Sequence, residues 1–148
     1  YNPYQDDTDI DNVGDTCDNC GLNFNPRQSD FDHDGQGDLC DVNDGVILIV
    51  STDKNYLEWQ EEAGPFWWNV YEGDFDVLRA SGVYTQAPGS NPLADRHCGL
   101  ASASVADLGA PPPGKLKFAL VTGTESGIEW SLGTDSAGNP RANTNPCP

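Results

Sequence analysis

The chain has 148 residues, 24 acidic against 7 basic side chains, a net charge of −17 and 36% hydrophobic content. Such a charge excludes nucleic acid and anionic membrane surfaces as partners and favours cations. No apolar run approaches the roughly 18 residues needed to span a bilayer; the longest, Val46–Val50, has the length of a strand.

The charge is unevenly spread. Residues 1–45 hold twelve Asp and one base, Arg27, a net −11, and residues 46–148 carry the remaining −6. A domain boundary is therefore expected between 45 and 46. The five Cys, at 17, 20, 40, 98 and 147, lie in loop-like sequence of a short chain. They read as disulfide-bonded, hence extracellular. The chain opens on Tyr1 and contains no Met, which is expected of a processed chain or an excerpt of a longer one.

The first 41 residues are two tandem repeats. Set at an offset of 23, Tyr1–Asp18 and Phe24–Asp41 share ten of eighteen residues. Asn2-Pro3 matches Asn25-Pro26, Gln5 matches Gln28, and Asp7, Asp9 and Asp11 match Asp30, Asp32 and Asp34. Gly14-Asp15 matches Gly37-Asp38, and Cys17-Asp18 matches Cys40-Asp41.

Each repeat contains a twelve-position calcium loop. In the second, Asp30, Asp32 and Asp34 take positions 1, 3 and 5, and their alternate spacing lets a curling backbone turn three carboxylates inward. Gly35 permits the sharp turn at position 6. Gln36 offers its backbone carbonyl, and Asp38 and Asp41 close the shell. The first loop is arranged alike: Asp7, Asp9, Asp11, Asn12 at the turn, the Val13 carbonyl, Asp15 and Asp18. All of these donors are oxygen, and their number suits Ca²⁺ better than Mg²⁺. A solvated acidic tract would not repeat in register with Gly and Cys. A helix-flanked sensor is disfavoured by Pro26 and by Asp at position 12, where sensors use Glu. Cys17-Asp-Asn-Cys20 lacks the further soft ligands that zinc would want.

From Val46 the pattern changes to short runs rich in β-branched and aromatic residues, separated by Gly, Pro and Asn. Strands are expected over 46–51, 56–59, 67–71, 82–85, 116–122 and 127–132. There is no sustained helical periodicity. About seven short strands in about a hundred residues suggest a β-sandwich. The fold class expected is mostly β plus irregular calcium-binding repeats. On strand 67–71, alternation places Trp68 and Val70 on one face and Trp67 and Tyr71 on the other. Trp67 and Tyr71, with Phe66 nearby, are expected to form an exposed aromatic surface that docks a neighbour.

The repeats resemble the thrombospondin type 3 repeat, Asn-Pro-x-Gln-x-Asp-x-Asp-x-Asp-Gly-x-Gly-Asp-x-Cys-Asp. Asn25–Asp41 fits throughout, and Asn2–Asp18 fits except for Asn12. The resemblance covers about a third of the chain. It implies a calcium-wrapped rod with little hydrophobic core, and it makes Asp6, Asn19, Asn43 and Asp44 further candidate ligands. Carried over from that family, Cys20 pairs with Cys40, and Cys98 and Cys147 are left as the natural pair of the second domain. Cys17 then expects a partner upstream of Tyr1.

Residues 46–148 resemble the fibronectin type III-like domains at the ends of secreted bacterial proteins. The matching stretches are Leu57-Glu58-Trp59, Trp68–Asp74, Lys117–Gly123 and the tail Gly133–Pro148, which reads as a true C-terminus. This resemblance implies an antiparallel β-sandwich used as a spacer or attachment module.

Nothing in the sequence specifies an enzyme. There are two His in all, with no nucleophile elbow and no phosphate loop. Glu58, Glu61, Glu62, Glu125 and Glu129 read as solvated acids. The function expected is an extracellular, calcium-binding structural protein, a stalk or the subunit of a surface fibre built from copies of itself or attached to another extracellular protein. The alternatives are an adhesion module for a glycan or matrix protein, and the non-catalytic end of a larger secreted hydrolase.

Overall fold

A computed structural model describes residues 6–53, 55–65 and 67–148, without the side chains of Ser51 and Thr52. Asn2-Pro3 and Gln5 of the first repeat, and Phe66, lie outside the described residues. Contacts divide the chain into two compact units. One runs to Leu48 and takes in Gln60–Ala63; the other comprises Ile49–Trp59 and Gly64–Pro148.

The described part of the first unit contains neither helix nor strand. It is a succession of turns whose backbone N–H groups are held by Asp side chains. Ile10, Leu22, Phe24 and Phe31 are all more than 60% exposed. The buried residues described in this unit are Asp11, Cys20, Gly37, Asp41 and Glu62. Cys20 is bridged to Cys40. A covalent loop of this length stabilises by roughly 3 kcal/mol on chain-entropy grounds. Gly37 packs against the bridge so closely that a Cβ there would lie 2.8 Å from Cys20 Sγ and 2.5 Å from Asn19 Oδ1. Cys17 is exposed and unbridged.

The second unit is built from antiparallel sheet and one short helix. Its elements are β1 (Ile49–Thr52), β2 (Tyr56–Trp59), β3 (Trp67–Asp74), α1 (Phe75–Ser81), β4 (Asp95–Leu100), β5 (Ser104–Ala106), β6 (Lys117–Glu125) and β7 (Ile128–Glu129). One sheet has the order β1-β2-β5 and the other β4-β3-β6-β7. Trp59 of β2 meets Trp68 of β3 edge-to-face, with ring centroids 5.7 Å apart, a geometry that complements the ring quadrupoles. Val70, Leu57 and Val105 are buried with them.

Three elements depart from the expected strands. Residues 82–85 form no strand, and α1 precedes them. Its two turns are too short to show a helical period, but their ends are marked: Asp74 caps the N-terminus by accepting from Asp76 N, and Gly82 closes the C-terminus at φ 71°. The Asp95–Ala106 stretch, where no strand is expected, supplies β4 and β5. β4 reads Asp-Arg-His-Cys-Gly-Leu and has no apolar alternation. It is an edge strand, paired on one side with β3 (Val70↔His97, Tyr71↔Arg96).

The exposed aromatic pair is corrected. Trp67 is 50% exposed, but Tyr71 is only 1% exposed. The C-terminal segment covers it. Tyr71 Oη donates to Glu129 Oε1 (2.6 Å) and accepts from Cys147 N (2.9 Å) and Asn143 Nδ2 (3.1 Å). That segment is fixed by the Cys98–Cys147 bridge and by the buried Thr85, whose Oγ1 accepts from Thr144 N and Asn145 N. Tyr71 is thus interior and cannot dock a neighbour.

Candidate metal centre

The sequence repeat reappears as a repeat of hydrogen bonds. Asp7 Oδ1 accepts from Ile10 N at 2.9 Å and Asp30 Oδ1 from His33 N at 2.7 Å. Asp7 Oδ2 accepts from Asn12 N and Asp30 Oδ2 from Gly35 N. Asp9 and Asp32 accept from Asp11 N and Asp34 N. Asp11 and Asp34 accept from Val13 N and Gln36 N at 2.7 and 2.8 Å. Asp15 and Asp38 accept from Thr8 N and Phe31 N, both at 2.7 Å. Every pair is offset by 23 residues.

Positive φ angles obey the same offset. Ile10 and His33 lie at 65° and 64°, and Asn12 and Gly35 at 73° and 98°. A β-branched side chain in this region is costly, by about 1–2 kcal/mol. Ile10 is held there by the carboxylate network on either side of it. Sequence reading identified position 6 as left-handed from Asn12 and Gly35 but had no signal for position 4.

The result is two carboxylate triads. One ligand oxygen from each of Asp7, Asp9 and Asp11 lies within 4.8 Å of the others, and Asp30, Asp32 and Asp34 are grouped alike. Asp15, Asp18, Asp38 and Asp41 stand outside these triads. Val13 and Gln36 sit between triad and closing residues, tied by their N–H groups to position 5. Asp18 and Asp41 are equivalent in detail: each accepts from the N–H two residues on, at 2.8 and 2.9 Å, and each keeps Oδ2 buried without a donor.

Asp9 Oδ2, Asp44 Oδ2 and Glu62 Oε1 are also buried and without donors. Asp11 and Asp41 are each 1% exposed and Glu62 is 6% exposed. Burial and then the charges of Asp11, Asp18 and Asp7 push the Asp9 carboxyl up. Burial and then Asp38, Asp41 and Asp32 push up Asp44. Glu62 is pushed up to about 7, by burial first and then by Asp44 and Asp41. Buried carboxylates of like charge are costly unless a cation or a donor set compensates them. The orphaned oxygens and the all-oxygen donor set fit a hard cation such as Ca²⁺.

Glu62 was read from sequence as a solvated acid. Nothing local to the Gln60–Ala63 tetrapeptide marks it as part of the repeat unit, which it joins only through the fold.

Elsewhere, Trp67, Asn69, Thr124 and Glu129 line a shallow groove beside the Cys98–Cys147 bridge. Burial, then the hydrogen bond to Glu129, pushes up the Tyr71 phenol beneath it. Comparison with protein-family models, curated proteins and solved structures finds no match.

Proposed function

We propose that the chain is a secreted structural protein whose acidic repeats fold around Ca²⁺ and whose second unit is a fibronectin type III-like β-sandwich serving as spacer or attachment module. The repeats act in the manner of thrombospondin type 3 repeats and stiffen a stalk or fibre built from copies of the chain. No reaction is assigned to it. The observation that carries this reading is the interior of the first unit, which is made of carboxylates and a disulfide while Ile10, Leu22, Phe24 and Phe31 face outward. Two disulfides suit an oxidising, extracellular compartment. No helix among the described residues is long and apolar enough to cross a membrane.

Calcium affinity should be that of an extracellular module, in the range of about 10⁻⁴–10⁻³ M. Asp34→Ala should abolish binding at the second triad and leave the first largely filled, as read by calorimetry. Unchanged stoichiometry in that variant would remove Asp34 from the ligand set.

The groove beside Trp67 favours a second reading, an adhesion module in which an exposed Trp stacks on a sugar ring beside polar Asn69 and Glu129. Trp67→Ser tests it, since that variant should lose retention on a glycan column while its melting temperature is kept.

A further inference from the structure

Trp67, half exposed, and Glu129 line the groove beside the Cys98–Cys147 bridge. Neutral donors alone hold Glu129 in place. Its Oε1 accepts from Asn69 Nδ2 and Tyr71 Oη, each at 2.6 Å, and its Oε2 from Asn143 Nδ2 at 2.6 Å. Among the described residues no Lys, Arg or His pairs with it. The carboxylate thus keeps its charge uncompensated, and Oε2 keeps a lone pair for a further donor.

The groove encloses about 240 Å³, less than the roughly 300–1,000 Å³ of a drug-sized site. It takes one ring or one side-chain head. An indole beside an unpaired carboxylate selects a cation, because the ring quadrupole attracts it and the carboxylate accepts its N–H groups.

The chain carries one base without a counterpart. Lys115 pairs with Asp74 and Asp76, and Lys117 with Glu72. Arg96 donates to the carbonyls of Asn145 and Pro146. Arg141 donates to the Leu132 carbonyl and lies over the Tyr84 ring. Arg79, in the last turn of α1, complements the helix dipole. Lys54 lies outside the described residues. Arg27 remains. It is exposed and makes no hydrogen bond or ion pair among the described residues, although it is the one base beside twelve Asp in residues 1–45. The calcium loop does not require it, since Tyr4 stands in its place in the first repeat.

We infer that the Arg27 guanidinium of one copy seats in the Trp67–Glu129 groove of the next. This rests on the reading of the chain as a fibre built from copies of itself. Arg suits the groove better than Lys, because a planar guanidinium stacks on an indole and turns its fork to a carboxylate. Arg27 and the groove are different surfaces, so the contact is heterologous. Every copy offers one of each, and repetition extends an open filament wherever the rotation does not close a ring. Calcium favours the contact, because copies of net charge −17 repel one another until bound ions lower that charge.

Sedimentation velocity of the full chain at about 1 mM calcium, over a range of protein concentrations, tests the contact. Wild-type species should grow with concentration. Arg27→Glu and Trp67→Ser should each weaken association by about tenfold or more at an unchanged melting temperature. Arg79→Glu, the same charge reversal at another exposed base, should not. If Arg27→Glu does not fold, Arg27→Ala adds no charge and should also weaken association. Arg27→Glu and Trp67→Ser mixed in equal amounts should form a dimer and stop there, since Arg27 of the second variant can still enter the groove of the first. Assembly of Arg27→Glu like wild type, equal weakening by Arg79→Glu, or a mixture that yields no dimer overturns this inference and leaves the fibre reading intact. So does a Trp67→Ser protein that assembles normally but loses glycan retention, which gives the groove to a sugar. A wild-type chain that binds calcium and stays monomeric at every concentration overturns the fibre reading itself.

Discussion

In EDTA, amide hydrogen exchange across residues 6–48 should rise to that of an unfolded chain, while β2, β3 and β6 should keep their protection. The first unit has almost no apolar interior to offset the entropy of ordering its backbone, about 1–2 kcal/mol per residue. Its turns are secured by Asp side chains accepting from N–H groups. Those same side chains repel one another once the cation leaves. The Cys20–Cys40 bridge restrains the unfolded chain but cannot neutralise the carboxylates. Metal binding and folding are thus one equilibrium. A site with Kd near 10⁻⁴ M stabilises by about 1.4 kcal/mol at about 1 mM calcium, and several such sites act together. Acidification should release the ion as EDTA does, since the ligands must be deprotonated to hold it, but it should unfold the unit less, because protonated Asp9 and Asp44, both pushed up, no longer repel their neighbours. Protection unchanged in EDTA would refute the account of the first unit.

The second large effect separates two neighbouring aromatics. Tyr71→Phe should destabilise the second unit by roughly 2–4 kcal/mol, because three groups lose their partner together and one is a carboxylate. For a unit of this size that lowers the melting temperature by about 10 °C or more. The loss falls on the contact between β3 and the C-terminal segment, so amide hydrogen exchange at Asn143–Asn145 and Cys147 should accelerate as well. Trp67→Ser, at a half-exposed position, should change stability by less than about 0.5 kcal/mol and instead impair self-assembly or glycan retention. A Trp67→Ser protein that melts as early as Tyr71→Phe, with assembly and sugar binding intact, would make Trp67 a packing residue and remove the surface from consideration.

Much of the first unit is legible in the sequence because its structure is local. Asp7, Asp9, Asp15, Asp30, Asp32, Asp34 and Asp38 accept from N–H groups two to seven residues away, so a register of Asp, Asn or Gly and Cys encodes the turn directly. The strands expected at 56–59, 67–71 and 116–122 are legible for a different reason: β-branched and aromatic residues are concentrated there. What escapes is whatever depends on distant chain. β4 has no hydrophobic pattern because its place is fixed by pairing with β3 and by the bridge from Cys98. Tyr71 obeys the alternation that sets it opposite Trp68, but alternation cannot say that residues 143–147 will cover that face. Glu62 escapes likewise, since its neighbours Asp41 and Asp44 lie about twenty residues away in sequence.

Calcium binding by the carboxylates of the first unit underlies every property proposed for the repeats. Equilibrium dialysis of the full chain against about 1 mM calcium, followed by metal analysis, tests it most directly. At least two calcium ions should be retained per chain, one for each triad, and released by EDTA together with the hydrogen-exchange protection of residues 6–48. A chain that retains no calcium while those residues stay protected would contradict it.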